Sequence, residues 1–197
     1  MPIEKINRLT RRNHQGVVAM LSAVSYARLD TVVPSLFEEG RVPLIVVLDG
    51  ITDVRNFGAI ARTCECAGVD AIVIPRRGGV SVGADAMKTS AGALSYLPVC
   101  REGSTVNSVK YLLDCGFRII GATEKGSVDY TQADYTQPTA IVMGAEDVGI
   151  SPDVLRLATT RVAIPQLGHV SSLNVSVAAG VIIYRAATQR MAAGRIR

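Results

Sequence analysis

The sequence predicts an α/β fold in which a parallel sheet is covered by helices on both faces. Short, continuously apolar segments such as residues 44–48 and 71–74 are typical of strands that are buried on both faces. Segments with helical apolar spacing lie between them, and glycines follow where several of these segments end. Strands that alternate with helices indicate a parallel sheet, whose ligand sites lie at the carboxyl ends of its strands.

Apolar runs predict the strands. In chain order these runs are residues 44–48, 71–74, 96–100, 117–122, 140–143 and 162–164. Prolines bound some of them, such as Pro43 before the first run and Pro75 after the second. Because Pro98 cannot donate to a sheet ladder, we expect the third run at an edge of the sheet. For residues 14–26, periodicity does not distinguish a strand from a short helix.

Helices are predicted where apolar residues recur at helical spacing. They cover residues 30–39, 56–67, 85–91, 104–115, a stretch that starts at 151, and 174–191. Gly40, Gly68 and Gly116 stand where a glycine commonly follows a helix. Ser104 can accept hydrogen bonds from a first helical turn, and Pro152 suits a first helical position.

Composition indicates a compact globular chain. Its 197 residues are 48% hydrophobic and 19% charged, which suits a single domain. A membrane partner is not expected, because no uncharged apolar run is long enough to cross a bilayer. The four cysteines fit no zinc-binding spacing, so we expect no metal site, reduced thiols and a cytoplasmic location.

Basic residues are more informative by position than by number. A net charge of +4, from 21 Lys and Arg against 17 Asp and Glu, permits an anionic partner without predicting one. The clusters lie in residues 1–12, at Arg76 and Arg77, and along the last helix, which includes Arg185 and Arg190. A solvated charged face is the alternative to a nucleic-acid surface.

Three polar loops follow predicted strands and should meet at one edge of the sheet. The first, residues 49–62, lacks the glycine spacing of a dinucleotide-binding or Walker A motif. In it Asn56 fits a helix cap, whereas Arg62 has apolar neighbours, so this cation needs a partner or an anionic ligand. The second, residues 143–151, places two glycines around adjacent carboxylates. This pattern fits either close approach to a ligand or a plain connection with exposed acids.

The third loop lies in residues 164–180, which contain a strand stopped by proline, a polar loop and a run of small and apolar residues. That run predicts a buried helix. Ser172 and Asn174 are placed to cap it, since both can accept hydrogen bonds from first-turn N–H groups. Alternatively, they line a ligand pocket at the end of a strand.

Taken together, the loops resemble the signature motifs of the SpoU, or TrmH, branch of the SPOUT superfamily of RNA ribose methyltransferases. The motifs are D-x-x-N-x-G-A-x-x-R from Asp53, G-x-E-x-x-G from Gly144 and I-P-x-x-G…S-L-N-V-S from Ile164. The likeness extends from about Pro43 to Arg190. It implies the SPOUT fold, whose carboxyl-terminal segment forms a trefoil knot, an exception to the rule that chains stay unknotted.

The run 13–19 is similar to the RlmB-like subgroup, which acts on 23S ribosomal RNA. Members of this subgroup usually carry a small RNA-binding domain ahead of the catalytic one. We therefore expect residues 1–40 to be an amino-terminal arm or linker, as a remnant of such a domain. Residues 41–197 would form the methyltransferase domain.

By motif match, the resemblance implies an S-adenosylmethionine site built on the knot. The expected cofactor contacts are Ala122, Thr123, Gly144, Ile164 and Leu173. The implied reaction is methyl transfer from the sulfonium to a ribose 2′-hydroxyl. Because that hydroxyl is a very weak acid, the site must stabilise the developing alkoxide.

The same match implies roles for five catalytic residues. Arg62 would stabilise negative charge and anchor a phosphate, since a guanidinium stays protonated in proteins. Asn56 and Glu146 would orient Arg62 or the ribose. Ser172 would hold a flanking phosphate or the hydroxyl, and Asn174 would fix its loop. For Ser172 and Asn174, capping alone remains the alternative.

The resemblance also implies partners. A homodimer would form through the carboxyl-terminal knotted regions, and arginines of the last helix would flank an RNA path. The expected substrate is structured RNA, foremost a guanosine of 23S ribosomal RNA. The alternatives are a transfer RNA 2′-O-methyltransferase and a non-catalytic RNA-binding protein of the same fold. An enzyme acting on a base nitrogen is disfavoured by the S-L-N-V-S motif.

Overall fold

The computed structural model describes Glu4 and residues 24–194, so most of the predicted amino-terminal arm lies outside the described residues. The strands are β1 (Tyr26–Ala27), β2 (Leu44–Asp49), β3 (Ala71–Pro75), β4 (Val99–Glu102), β5 (Arg118–Ala122), β6 (Val128–Asp129), β7 (Thr139–Gly144) and β8 (Thr160–Ala163). The helices are α1 (Leu29–Glu38), α2 (Val54–Cys66), α3 (Ala84–Thr89), α4 (Thr105–Asp114), α5 (Pro152–Leu155) and α6 (Val175–Ala192). None of these described helices has both the length and the apolarity that a membrane span requires.

The strands form one parallel sheet in the order β1-β4-β3-β2-β7-β5-β8-β6. Because side chains alternate along a strand, the central strands are buried on both faces. Leu44, Val46 and Leu48 of β2 face a core covered by α2, α3 and α6. Ile45 and Val47 face a second core covered by α1, α4 and α5. The predicted parallel sheet with helices on both faces is confirmed.

The chain leaves the two central strands in opposite directions. β2 and β7 are neighbours, with Asp49 opposite Gly144 at their carboxyl ends. From β2 the chain crosses one face of the sheet through α2 and reaches β3, on one side of the central pair. From β7 it crosses the opposite face through α5 and reaches β8, on the other side of that pair. Such a reversal opens a crevice at the ends of the strands. The topology therefore brings the first two polar loops to the same place.

Some element boundaries differ from the prediction. The strand expected at 96–100 covers Val99–Glu102, because Tyr96 follows a 3-10 turn, Ala93–Ser95. Pro98 contributes only its carbonyl, which accepts a hydrogen bond from the Ile72 N–H at 2.9 Å. β4 is not an edge strand, since β1 pairs with its outer side. Residues 123–138, a polar stretch between two predicted strands that the sequence indicates as a loop, contain β6, which is too short to show a periodicity.

Arg190 holds the second half of α6 against the amino ends of the central strands. Its side chain is 4% exposed, so the guanidinium is buried. It donates to the carbonyl oxygens of Val42, Pro43, Tyr135 and Gln137 at 2.5–3.1 Å. These carbonyls precede β2 and β7, and one forked cation satisfies all of them.

The expectation that the arginines of the last helix flank an RNA path is therefore wrong for Arg190. Its place on the inner face of α6 could not be read from its charge, which normally predicts exposure. Arg185 is half-buried and donates to the Thr131 carbonyl oxygen at 2.5 Å. The arginines beyond residue 194 lie outside the described part of the chain.

Replacing Arg190 with methionine should lower the free energy of unfolding by about 3 kcal/mol or more, since several buried carbonyls lose charged hydrogen bonds. Urea denaturation measures this change. The matched control is Arg185→Met on the same helix, which removes a guanidinium with one carbonyl acceptor and should cost less than about 1.5 kcal/mol. Equal decreases in the free energy of unfolding of the two variants would contradict the claim that Arg190 holds α6 against the central strands.

Candidate active site

One side-chain amide joins the three motif loops. Asn174 Nδ2 donates to Glu146 Oε1 at 2.6 Å and to Asn56 Oδ1 at 3.0 Å. Glu146 Oε1 also accepts from the Val175 N–H at 3.4 Å. These loops follow β2, β7 and β8, and Asn56 and Asn174 are 118 residues apart in sequence. We call Asn56, Glu146 and Asn174 the three-loop junction.

The same amide caps α6 with its oxygen. Asn174 Oδ1 accepts from the Ser176 N–H at 2.9 Å and from the Val177 N–H at 3.4 Å. Capping and junction thus use different atoms of one side chain, and the two alternatives for Asn174 coexist. Ser172 is not the cap, because it is exposed and its hydroxyl has no hydrogen bond to a described residue.

Asp53, rather than Asn56, caps α2. Its carboxylate accepts from the N–H groups of Arg55 at 2.8 Å and Asn56 at 2.9 Å. These backbone hydrogen bonds, that of Asn56 first, hold the pKa of Asp53 below its usual range. The helix therefore begins at Val54, and Asn56 lies in its first turn. In that position the Asn56 side chain reaches Asn174.

The loop after β7 folds back on itself and depends on glycine. A Cβ on Gly144 would lie 2.1 Å from the Gly149 carbonyl carbon and from the Ile150 nitrogen, so no larger residue fits. Gly149 has a φ of +70°, which also favours glycine.

Asp49 fixes the end of this loop to the neighbouring strand. Its Oδ2 accepts from the Ser151 N–H at 2.8 Å, a contact across 102 residues of sequence. Asp49 is not among the residues predicted for the site. Its position could have indicated it, because Asp49 is the last residue of a buried strand and directly precedes a polar loop.

A cavity of about 550 Å³ opens beside the three-loop junction. All five residues predicted to contact a cofactor line it, namely Ala122, Thr123, Gly144, Ile164 and Leu173. Glu146, Ser172 and Asn174 line it as well, and Met143, Val162 and Ile182 add apolar surface. The lining thus combines an apolar floor with polar and charged groups, among them Glu124, Lys125 and Glu146, and a cavity of this size can hold a small molecule.

Arg62 does not line this cavity. It is exposed on α2 and makes no hydrogen bond or ion pair with any residue that the structure describes. The interpretation that its apolar neighbours force a partner on Arg62 is wrong, because Ala61 and Cys64 face the core whereas Arg62 faces solvent. The turn that carries it borders α6, since a Cβ on Gly180 would lie 3.9 Å from Thr63 Cγ2.

The model of the SpoU rRNA methylase family matches residues 43–184, which include the three-loop junction and every residue predicted for the site. The chain belongs to this family. The resemblance to the SpoU/TrmH enzymes is thereby confirmed. Among curated relatives, a protein of Staphylococcus saprophyticus assigned to the TrmH family of tRNA/rRNA methyltransferases is 36% identical over 190 residues. That match covers 96% of this SpoU-family chain and 76% of the relative.

Solved structures of the same family share the fold. The SpoU methyltransferase AviRb of Streptomyces viridochromogenes, in complex with AdoMet, matches with a TM-score of 0.72 at 29% identity, over 77% of this chain and 62% of that one. An RNA 2′-O ribose methyltransferase matches with a TM-score of 0.68 at 27% identity, over 76% of this chain and 57% of that one. This SpoU-family chain thus spans less than two thirds of either solved chain.

Two substitutions should separate the roles of Asn174. Serine is a good cap but is too short to reach Glu146 and Asn56, whereas alanine offers neither interaction. Asn174→Ser should lower the free energy of unfolding by about 1 kcal/mol through loss of the junction. Asn174→Ala should lower the free energy of unfolding by about 1 kcal/mol more than Asn174→Ser does, because alanine also removes the cap. Urea denaturation distinguishes them, and a serine variant as stable as the wild type would show that the junction does not stabilise the fold.

Proposed function

We propose that this protein transfers a methyl group from S-adenosylmethionine to a ribose 2′-hydroxyl of structured RNA, foremost a guanosine of 23S ribosomal RNA. The observation that carries the proposal is the cavity beside the three-loop junction, lined by all five expected cofactor residues. Family membership supports the reaction class. The AdoMet complex of AviRb supports the cofactor, and the 2′-O ribose enzyme supports the position of the methyl group.

The cavity fits the cofactor in size and chemistry. Gly144, Ile164 and Leu173 line it from the ends of β7 and β8 and the loop before α6, and Ala122 and Thr123 line it at the end of β5; the resemblance implies that their backbone groups would hold the cofactor. When bound, S-adenosylmethionine supplies an electrophilic methyl group on a sulfonium. The Glu146 carboxylate at the cavity wall favours a neighbouring positive charge.

The junction is placed to orient the ribose. Asn56 and Glu146 lie at the carboxyl ends of β2 and β7, where the 2′-hydroxyl oxygen would form its bond to the methyl carbon as the carbon–sulfur bond breaks. Ser172, exposed at the cavity wall, is free to hold the hydroxyl or a flanking phosphate. The hydroxyl proton would leave to solvent water, and Arg62 of a second copy would stabilise the developing negative charge, because a guanidinium remains protonated.

A homodimer through the carboxyl-terminal region completes this proposal. Apolar side chains are exposed there on the third loop and on α6, including Leu167, Val170, Val177, Tyr184 and Met191. Exposed apolar surface of this kind suits a second copy of the chain. Since the α2 turn with Arg62 borders α6, dimerisation would bring Arg62 towards the site of the partner.

The SPOUT knot is part of the same proposal. A Cβ on Gly126 would lie 2.4 Å from the Val162 carbonyl carbon, so the segment between β5 and β6 passes close to β8, which lies between these two strands. This crossing is where the proposed knot would place a loop over the last strand.

Transfer of tritiated methyl groups from S-adenosylmethionine to total RNA of a strain lacking the gene tests the reaction. We expect label in 23S ribosomal RNA, located by mapping as 2′-O-methylguanosine. Label in transfer RNA would favour the first alternative, and RNA binding without any label would favour the non-catalytic one. Absence of label in both RNA classes would contradict the enzymatic proposal, and equilibrium sedimentation of the same protein tests the dimer.

In that assay Arg62→Lys should lower kcat by about tenfold or more, because an ammonium keeps the charge but lacks the planar fork of a guanidinium. Arg55→Lys is the matched control on the same helix and should remain close to wild type, since Arg55 pairs with Asp53. Full activity of Arg62→Lys would contradict the role given to Arg62.

A further inference from the structure

Two exposed arginines follow β3 at the sheet edge that carries the active site. Arg76 and Arg77 form no side-chain hydrogen bond or ion pair with any residue of the described part of the chain. Several other exposed arginines of the described chain have carboxylate partners, as in the pairs Arg28–Asp30, Arg118–Asp134 and Arg156–Asp153. The turn after β3 therefore presents two cations with which no described carboxylate forms an ion pair.

The backbone holds this turn in one conformation. The Arg76 N–H donates to the Glu102 carbonyl oxygen at 2.7 Å, and the Arg76 carbonyl accepts from Arg101 Nη2 at 3.3 Å. Gly78 has a φ of +70°, and a Cβ on Gly79 would lie 2.5 Å from the Pro75 carbonyl oxygen. Val80 and Val82 anchor the chain beyond the turn, because both are buried in the core.

The sheet order places this turn on the open side of the active site. The cofactor cavity lies over the ends of β7, β5 and β8, and the three-loop junction lies at β2 and β7. β3 is next to β2 on the other side, so its end is two strand spacings, about 10 Å, from that of β7. A polynucleotide whose ribose reaches the junction from outside the cavity can therefore pass over Arg76 and Arg77.

We propose that the Arg76–Arg77 turn binds the backbone phosphates that flank the target nucleotide. This inference rests on the proposed function. Guanidinium groups bind phosphate oxygens through paired hydrogen bonds, and a preformed turn loses little conformational freedom on binding. Such contacts fix the register of the RNA without reading its sequence, so the turn positions the ribose at the junction.

The test compares Arg76→Gln/Arg77→Gln with the wild type in methyl transfer to total RNA of a strain lacking the gene, at several salt concentrations. The KM for RNA should rise by about tenfold or more. The slope of log affinity against log salt should fall in magnitude by about 1.5, as expected for the loss of two phosphate contacts. The KM for S-adenosylmethionine and the Tm should remain those of the wild type, because neither side chain lines the cavity or the core.

Two further variants make the result specific. Lys110→Gln/Arg118→Gln removes one cation from α4, on the other face of the sheet, and one from the amino end of β5, and should leave the KM for RNA unchanged. Arg76→Lys/Arg77→Lys keeps the charge and should recover most of the salt slope. If the wild type labels RNA and Arg76→Gln/Arg77→Gln has the same KM for RNA as the Lys110→Gln/Arg118→Gln control, this inference alone is overturned. If the wild type labels no RNA, the proposed function fails and this inference fails with it.

Discussion

The hydrogen bonds of a single amide, that of Asn174, are the constraint on which the site depends. Its nitrogen bridges the loops after β2 and β7, while its oxygen caps the helix that follows the third loop. Asn56 is held by the first turn of α2, whereas Glu146 and Asn174 lie in neither a helix nor a strand. The amide converts three separate strand-to-helix connections into one wall beside the cavity. Any side chain without both a donor and an acceptor at this position loses one of the two functions.

The rest of the fold holds this amide in place. The opposite directions of the chain after β2 and β7 open the crevice, and Gly144 lets the second loop fold closely enough to present Glu146. α6 is fixed near both ends, by Asn174 at the carboxyl edge of the sheet and by Arg190 at the amino edge. A rotation or shift of α6 would therefore break contacts at both edges, and the register of the helix supports the geometry of the site.

Much of this architecture could be predicted from the sequence, because strands buried on both faces are continuously apolar and polar loops after such strands meet at one edge. The motif resemblance singled out Asn56, Glu146 and Asn174, which the structure brings together. Sequence could not show which atoms of Asn174 serve the cap and which serve the junction. It also misjudged two arginines, since charge alone indicates neither that Arg190 is buried among carbonyls nor that Arg62 points to solvent.

The most direct test of the central claim exchanges the donor at residue 174 and the acceptor at residue 146. The measured quantity is the Kd for S-adenosylmethionine, determined by calorimetry. Asn174→Asp sets two carboxylates against each other and should weaken binding, because the displaced loops carry Gly144 and Leu173. Adding Glu146→Gln restores an amide donor opposite a carboxylate, and the double variant should recover most of the lost affinity. Glu146→Gln is also measured alone. If the binding free energy that the double variant loses equals the sum of the losses of the two single variants, the claim that this junction organises the cofactor site is contradicted.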